Sequence, residues 1–284
     1  MKFLSKIVDF ILYTNIWIGI GALLLYLQSI ALLNGKYQPT NIAYLVSFST
    51  VWLYSLHRAV GLRKVEDMEA NSRFYKIHRL KIPIYIIGFF CLITSLYFIV
   101  QIDLRFLIAM AFPAFVSMMY VLPVFSGKRR LRDLSIIKIF LVALTWSWLT
   151  VLIPWYESSS GWEWKVLFTF AERFCFIFAI TLPFDIRDLK TDAISNVKTI
   201  PALIGIENSQ RLSYILLAVS GIFLGLQYTN NMIPPNYLKV VLLFYLLTGL
   251  LIFAIQRKQH DYYYTGLLDG TMLLMPVMVY FVTV

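Results

Sequence analysis

Leu182–Gly205 reads LPFDIRDLKTDAISNVKTIPALIG. It joins a long apolar run to a polar loop, and the chemistry of the chain turns on that junction. Asp185, Asp188 and Asp192 stand at i, i+3 and i+7. On a helix of 3.6 residues per turn these positions fall along one narrow stripe, with Arg187 and Lys190 directed away from it. The acids therefore lie at a membrane surface rather than in a soluble core. Converging carboxylates repel one another unless a cation sits between them, and a hard divalent ion with oxygen ligands is one such guest. A solvated acidic face at a helix end is the other reading of the same spacing.

Working outward, 60% of the 284 residues are hydrophobic, 14% are charged, and the mean hydropathy is +0.73. The apolar residues come in nine blocks, 7–33, 41–57, 82–101, 104–125, 134–154, 164–184, 211–229, 237–256 and 262–284. Blocks of about 20 residues match the thickness of a hydrocarbon core. The first is too long for a signal peptide, and no block alternates with period two, which argues against a β-barrel. The fold class expected is an all-α polytopic membrane protein, a bundle of nine transmembrane helices forming one integral-membrane domain over residues 1–284.

The net charge of +10 is a topology signal. With the N-terminus and the loops after spans 2, 4, 6 and 8 on one side, most of the 25 Lys and Arg fall there, and only Lys36, Arg105, Lys165 and Lys239 fall opposite. The positive-inside rule then puts the N-terminus inside and the C-terminus outside, in a cytoplasmic (inner) membrane. Nucleic acid is not an expected partner, because the basic residues follow the loops rather than forming a groove. Within the basic loops, Lys128, Arg129, Arg130 and Arg132 cluster tightly, suiting anionic headgroups or a diphosphate. Arg58 and Lys64, beside Glu66, Asp67 and Glu69, read either as solvated loop or as an anion grip.

Inside the spans, Asn15, Glu172, Arg173 and Asp269 stand out. Polar groups at that depth pair with a neighbour or mark a site. Asn15 is expected to pack against another helix, Glu172 and Arg173 to pair with each other, and Asp269 to be a functional candidate. Pro183 is placed to kink the sixth span just before the acids, while Pro201 and Gly205 punctuate a loop or a broken helix. Cys91 and Cys175 read as small buried hydrophobes. The three histidines have no metal-ligand spacing, and the chain has no Walker loop, dinucleotide fingerprint or nucleophile elbow.

The aspartate segment resembles the second Asp-rich motif of the UbiA-type intramembrane prenyltransferase superfamily, especially its menaquinone-type branch. Asp185, Asp188, Asp192, Lys198, Thr199, Ile200, Pro201, Leu203 and Gly205 match, and Asn196 stands where the family usually has Gly. Tyr120, Pro123 and Lys128 resemble the family's loop after span 4. Its first motif, N-D-x-x-x-D-x-x-x-D, is replaced here by YSLHRAVGLRK.

The resemblance implies a lipid-accessible central cavity and Mg²⁺-dependent transfer of an isoprenyl group from an isoprenyl diphosphate to a lipid-soluble aromatic or quinone-precursor acceptor. It implies Mg²⁺ on Asp185, Asp188 and Asp192, with Asp188, Asp192 and Lys198 catalytic. Diphosphate contacts would come from Lys128, Arg130, Lys198, Arg58 and His57, the last two standing in for the missing carboxylates. Asn15, Tyr120 and Asp269 are candidates for the acceptor side of the cavity. On this scheme Asp188→Asn abolishes transfer. The alternative is a non-catalytic relative that binds an isoprenoid or a partner protein. Neither reading fixes an oligomeric state.

Overall fold

Each apolar block closes into a helix because lipid offers its backbone no hydrogen-bond partner. The structure, a computed structural model, describes residues 2–35, 37–62, 73–124, 130–133, 136–158, 161, 163–194, 197–255 and 260–283. The helices in order are α1 (Lys2–Tyr13), α2 (Ile16–Asn34), α3 (Asn41–Leu62), α4 (Arg73–Arg79), α5 (Lys81–Ile99) and α6 (Leu104–Val121). Then come α7 (Ile137–Ser147), α8 (Ile153–Ser158), α9 (Trp164–Ile194), α10 (Ile200–Thr229), α11 (Pro235–Ala254) and α12 (Asp269–Thr283). A π-turn at Trp148–Leu152 joins α7 to α8 into one span, and a second at Tyr263–Leu268 leads into α12. Among the described residues no strand occurs.

Among the described residues, eight helical stretches are long and apolar enough to cross a membrane. The remaining block belongs to α3, which is 22 residues long but carries Ser47, Ser49, Thr50, Ser55, His57 and Arg58. The long helices are arranged as a ring. Helix α2 packs on α3 and α12, α3 on α5 and α6, α6 on α7, α7 on α9, α9 on α10, and α10 on α11, which returns to α12. Ile86, Phe89, Ile93 and Leu96 of α5 and Leu246, Leu250 and Phe253 of α11 project outward, exposed. Such a surface suits acyl chains, which solvate it as well as a protein core would.

The first block is not one span. It breaks after Tyr13, where Asn15 adopts φ 67°; among non-glycine residues asparagine tolerates this left-handed conformation best. The guanidinium of Arg58 donates to the carbonyls of Tyr13 and Leu12, capping the last turn of α1. Asn15 donates through Nδ2 to Ser55 Oγ at 3.1 Å, the cross-helix pairing expected of it. Helix α1 packs beside α4 at the polar end of the bundle.

Helix α3 is held close on both sides by glycines. A Cβ on Gly19 would stand 2.2 Å from Val51 Cγ2, and one on Gly88 would stand 2.8 Å from Ser55 Cβ. Small residues at such crossings let helix backbones approach. Gly88→Ala should therefore lower stability by about 1–3 kcal/mol through overpacking. Gly61→Ala, which meets nothing within 4 Å, should not. Equal thermal shifts for the two variants in lipid nanodiscs would contradict the crossing argument.

Glu172 and Arg173 do not pair with each other. Adjacent helical residues point about 100° apart, so Glu172 accepts from Tyr245 while Arg173 reaches Gln28 Oε1 at 2.9 Å. Gln28 in turn donates to Tyr237 at 3.1 Å. This buried polar network ties α2, α9 and α11 together. Cys91 and Cys175 are free and buried, as expected.

Candidate functional site

Helix α9 runs unbroken through Pro183 to Ile194, so the three aspartates lie on its last turns as one face. Lys138, near the start of α7, is buried against that face. Its ammonium stands 2.9 Å from Asp185 Oδ1 and 2.8 Å from Asp192 Oδ2. A buried lysine needs such partners, because a lone charge there costs several kcal/mol. Asp188 turns to other cations, Arg73 of α4 at 3.0 Å and Arg187 at 2.9 Å. Arg187 also reaches Asp261 at 2.9 Å, so it wraps back toward the stripe instead of pointing away.

The opposite wall is cationic. His57 of α3 accepts from the guanidinium of Arg132, since arginine has only donors to offer. Arg130 is engaged by Asp133, at 3.0 Å from Nη2 to Oδ1, while its buried Nη1 has no hydrogen-bond partner. The ring of Tyr120 lies 6.3 Å from that of His57.

Between these walls is a cavity of about 180 Å³. Its polar lining includes His57, Arg132, Lys138, Asp185, Asp188 and Asp269. A second compartment of about 140 Å³ adjoins it, lined by apolar residues such as Leu53, Val116, Val121 and Leu141. Tyr54, His57, Tyr120, Val142 and Trp146 border both. One compartment is therefore built for charge and the other for hydrocarbon, with aromatic rings at the junction.

Helices α1 and α4 cover the polar end. Lys76 lies 3.4 Å from Asp9 and hydrogen-bonds the Tyr262 hydroxyl at 3.0 Å. Burial works against the Lys76 ammonium, but the Tyr262 hydroxyl and Asp9 outweigh it and hold its pKa above the usual lysine range. Burial, with the Asp261 carboxylate, pushes the Tyr13 phenol up. The Tyr13 hydroxyl donates to Asp261 at 2.8 Å, linking this cover to the Arg187 network.

Of the residues singled out in the sequence, His57, Tyr120, Asp185, Asp188 and Asp269 line the polar cavity. Asp192 supports Lys138 from behind. Lys198 is exposed, Arg58 caps α1, Arg130 is held by Asp133, and Asn15 binds Ser55. Lys128 lies outside the described residues, as do Lys64, Glu66, Asp67, Glu69 and Asn196. Sequence reasoning passed over Lys138 as one more basic-side residue. Its signal was a lone lysine opening an apolar block, which must find an acid when that block is buried.

The expected convergence of three carboxylates on a divalent ion does not fit these side chains. The space between Asp185 and Asp192 is bridged by Lys138, and Asp188 is committed to two arginines. Where the family's first motif would supply acids, His57 and Arg58 stand instead. Among the described residues, no three His, Cys, Asp or Glu side chains are grouped to hold a metal ion.

A family model described as the UbiA prenyltransferase family matches residues 83–266. No curated protein matches the chain. Among solved structures, a UbiA homolog from Archaeoglobus fulgidus aligns with a TM-score of 0.65 at 13% identity, covering 97% of this chain and 99% of that one. The same homolog bound to GPP and Mg²⁺ gives 0.65 at 14% identity, with the same coverage. An apo UbiA homolog from Aeropyrum pernix K1 gives 0.62 at 12% identity, covering 92% of this chain and 94% of that one. At these identities the likeness carries the fold.

Proposed function

The chain belongs to the UbiA prenyltransferase family, and from that premise we propose that it transfers an isoprenyl group from an isoprenyl diphosphate to a lipid-soluble aromatic acceptor within the membrane. The observation that carries this reading is the pair of joined compartments, one charged and one apolar, meeting at Tyr54, Tyr120 and Trp146. A prenyl diphosphate has that same division along its length. Structures of relatives hold GPP or DMAPP with Mg²⁺, which supports the donor class. The charge pattern supports an inner-membrane protein with its N-terminus and the polar end of the cavity on the cytoplasmic side. We take residues 1–284 as one membrane domain.

The chemistry follows from the lining. The diphosphate head lies against Lys138, Arg132 and His57, and the tail runs between α3, α6 and α7. The bond between C1 and the bridging oxygen breaks, and its electron pair leaves with the diphosphate. Cations aimed at that oxygen stabilise the growing charge more in the transition state than in the substrate. The allylic cation left behind sits at the junction, where the faces of Tyr54, Tyr120 and Trp146 favour it electrostatically. The acceptor carbon attacks C1, and its proton goes to a carboxylate. Asp185 is suited to receive it, because Oδ1 holds Lys138 while the buried Oδ2 has no partner.

The test is release of inorganic pyrophosphate by the purified protein in nanodiscs. Donors of increasing chain length are offered with a lipid-soluble phenol as acceptor. The expected result is acceptor-dependent release with a prenylated product in stoichiometric amount. Tight donor binding with no release across the series would instead support the non-catalytic relative, which the neutralised aspartates also suit.

A further inference from the structure

The proposed function leaves open what neutralises the acids of this site and holds its anion. We propose that Lys138 is the built-in cation of the aspartate stripe, and that the prenyl diphosphate binds here without a divalent metal ion. This inference rests on the prenyl-diphosphate reading and deepens it.

Three observations carry it. First, the Lys138 ammonium lies within 3 Å of one oxygen each of Asp185 and Asp192, in the space an ion would need. A divalent ion there would face a like charge at contact distance in a poorly solvated cavity, where such repulsion is large. Second, the other wall of the cavity offers donors rather than acids. Arg132 has the ring of His57 as its hydrogen-bond partner, and both side chains border the polar compartment. Such a pair can turn to an anion without leaving a carboxylate unpaired. Third, the last turns of α3 carry His57 and Arg58 and no carboxylate. Mg²⁺ is held by one or two carboxylates together with the phosphates of its substrate, and the α9 acids that could serve here are already engaged by Lys138, Arg73 and Arg187.

The direct test is binding of labelled geranyl diphosphate to the wild-type protein in nanodiscs, with excess EDTA or with excess Mg²⁺. The expected result is the same affinity in both. Arg132→Gln should weaken binding in both by about tenfold or more, as removal of a charge-assisted contact does. Binding that EDTA abolishes and Mg²⁺ restores overturns the inference while leaving the prenyl-diphosphate reading intact. Absence of binding under both conditions overturns the underlying reading, and the inference with it.

A second readout needs no substrate. In Lys138→Met the two carboxylates lose their cation and become a site for a divalent ion. Mg²⁺ should then raise the thermal midpoint of this variant, by linkage to binding, while leaving the wild type unmoved. A wild-type midpoint that rises with Mg²⁺ as much as the variant's counts against a resident lysine cation.

Discussion

Lys138→Met is expected to destabilise the protein by about 3–5 kcal/mol, the usual cost of removing one partner from a buried ion pair. The side chains of Lys138, Asp185 and Asp192 are only 6%, 9% and 10% exposed. Methionine fills nearly the same volume, so little of the loss comes from a cavity. What remains is a pair of buried carboxylates with no counter-charge, each repelling the other. The triple variant Lys138→Met, Asp185→Asn, Asp192→Asn removes the charges together. It should recover most of the loss, because a buried ion pair contributes little beyond a neutral replacement of similar shape. Thermal unfolding of the wild type, the single variant and the triple variant in one lipid composition tests this. A single variant as stable as the wild type would mean that water or lipid headgroups already compensate the carboxylates.

The sequence made the bundle legible because lipid imposes a long apolar period on any helix that crosses it. Block after block survives as a helix, and Pro183 does not interrupt α9. The division of the first block at Asn15 was not legible in the hydropathy pattern. It depends on a left-handed backbone and on a cap delivered by Arg58 from another helix. The stripe of Asp185, Asp188 and Asp192 was equally readable, since helical spacing alone puts the acids on one face. What each acid touches was not, because the partners come from distant helices. Lys138 is 54 residues from Asp192, and Arg73 is 115 from Asp188. Arg187 misled for a different reason. Its Cα points off the stripe, but its side chain is long enough to return to Asp188 and Asp261. Glu172 and Arg173 misled by proximity in the chain, which on a helix separates neighbours instead of pairing them.

Asp185→Asn should lower kcat by about 10²–10⁴-fold, the range for loss of a positioned general base, while donor binding changes little. The amide keeps the size and the Oδ1-side contact of the carboxylate, and Lys138 retains Asp192 at 2.8 Å, so the helices stay in register. The other oxygen, Oδ2, is buried and partnerless in the wild type. Replacing it by an NH₂ group removes the proton acceptor and presents donors in its stead. An effect confined to kcat distinguishes this role from a merely structural one, which would raise KM and lower the thermal midpoint together. Asp269 supplies the internal comparison. It borders the same cavity from α12, and among the described residues it takes part in none of the ion pairs that fix Asp185, Asp188 and Asp192. Asp269→Asn therefore leaves the cation network whole and should reduce turnover far less. If the two variants exchange these phenotypes, the proton leaves toward α12, and Asp185 serves only to hold Lys138 in the path of the departing diphosphate.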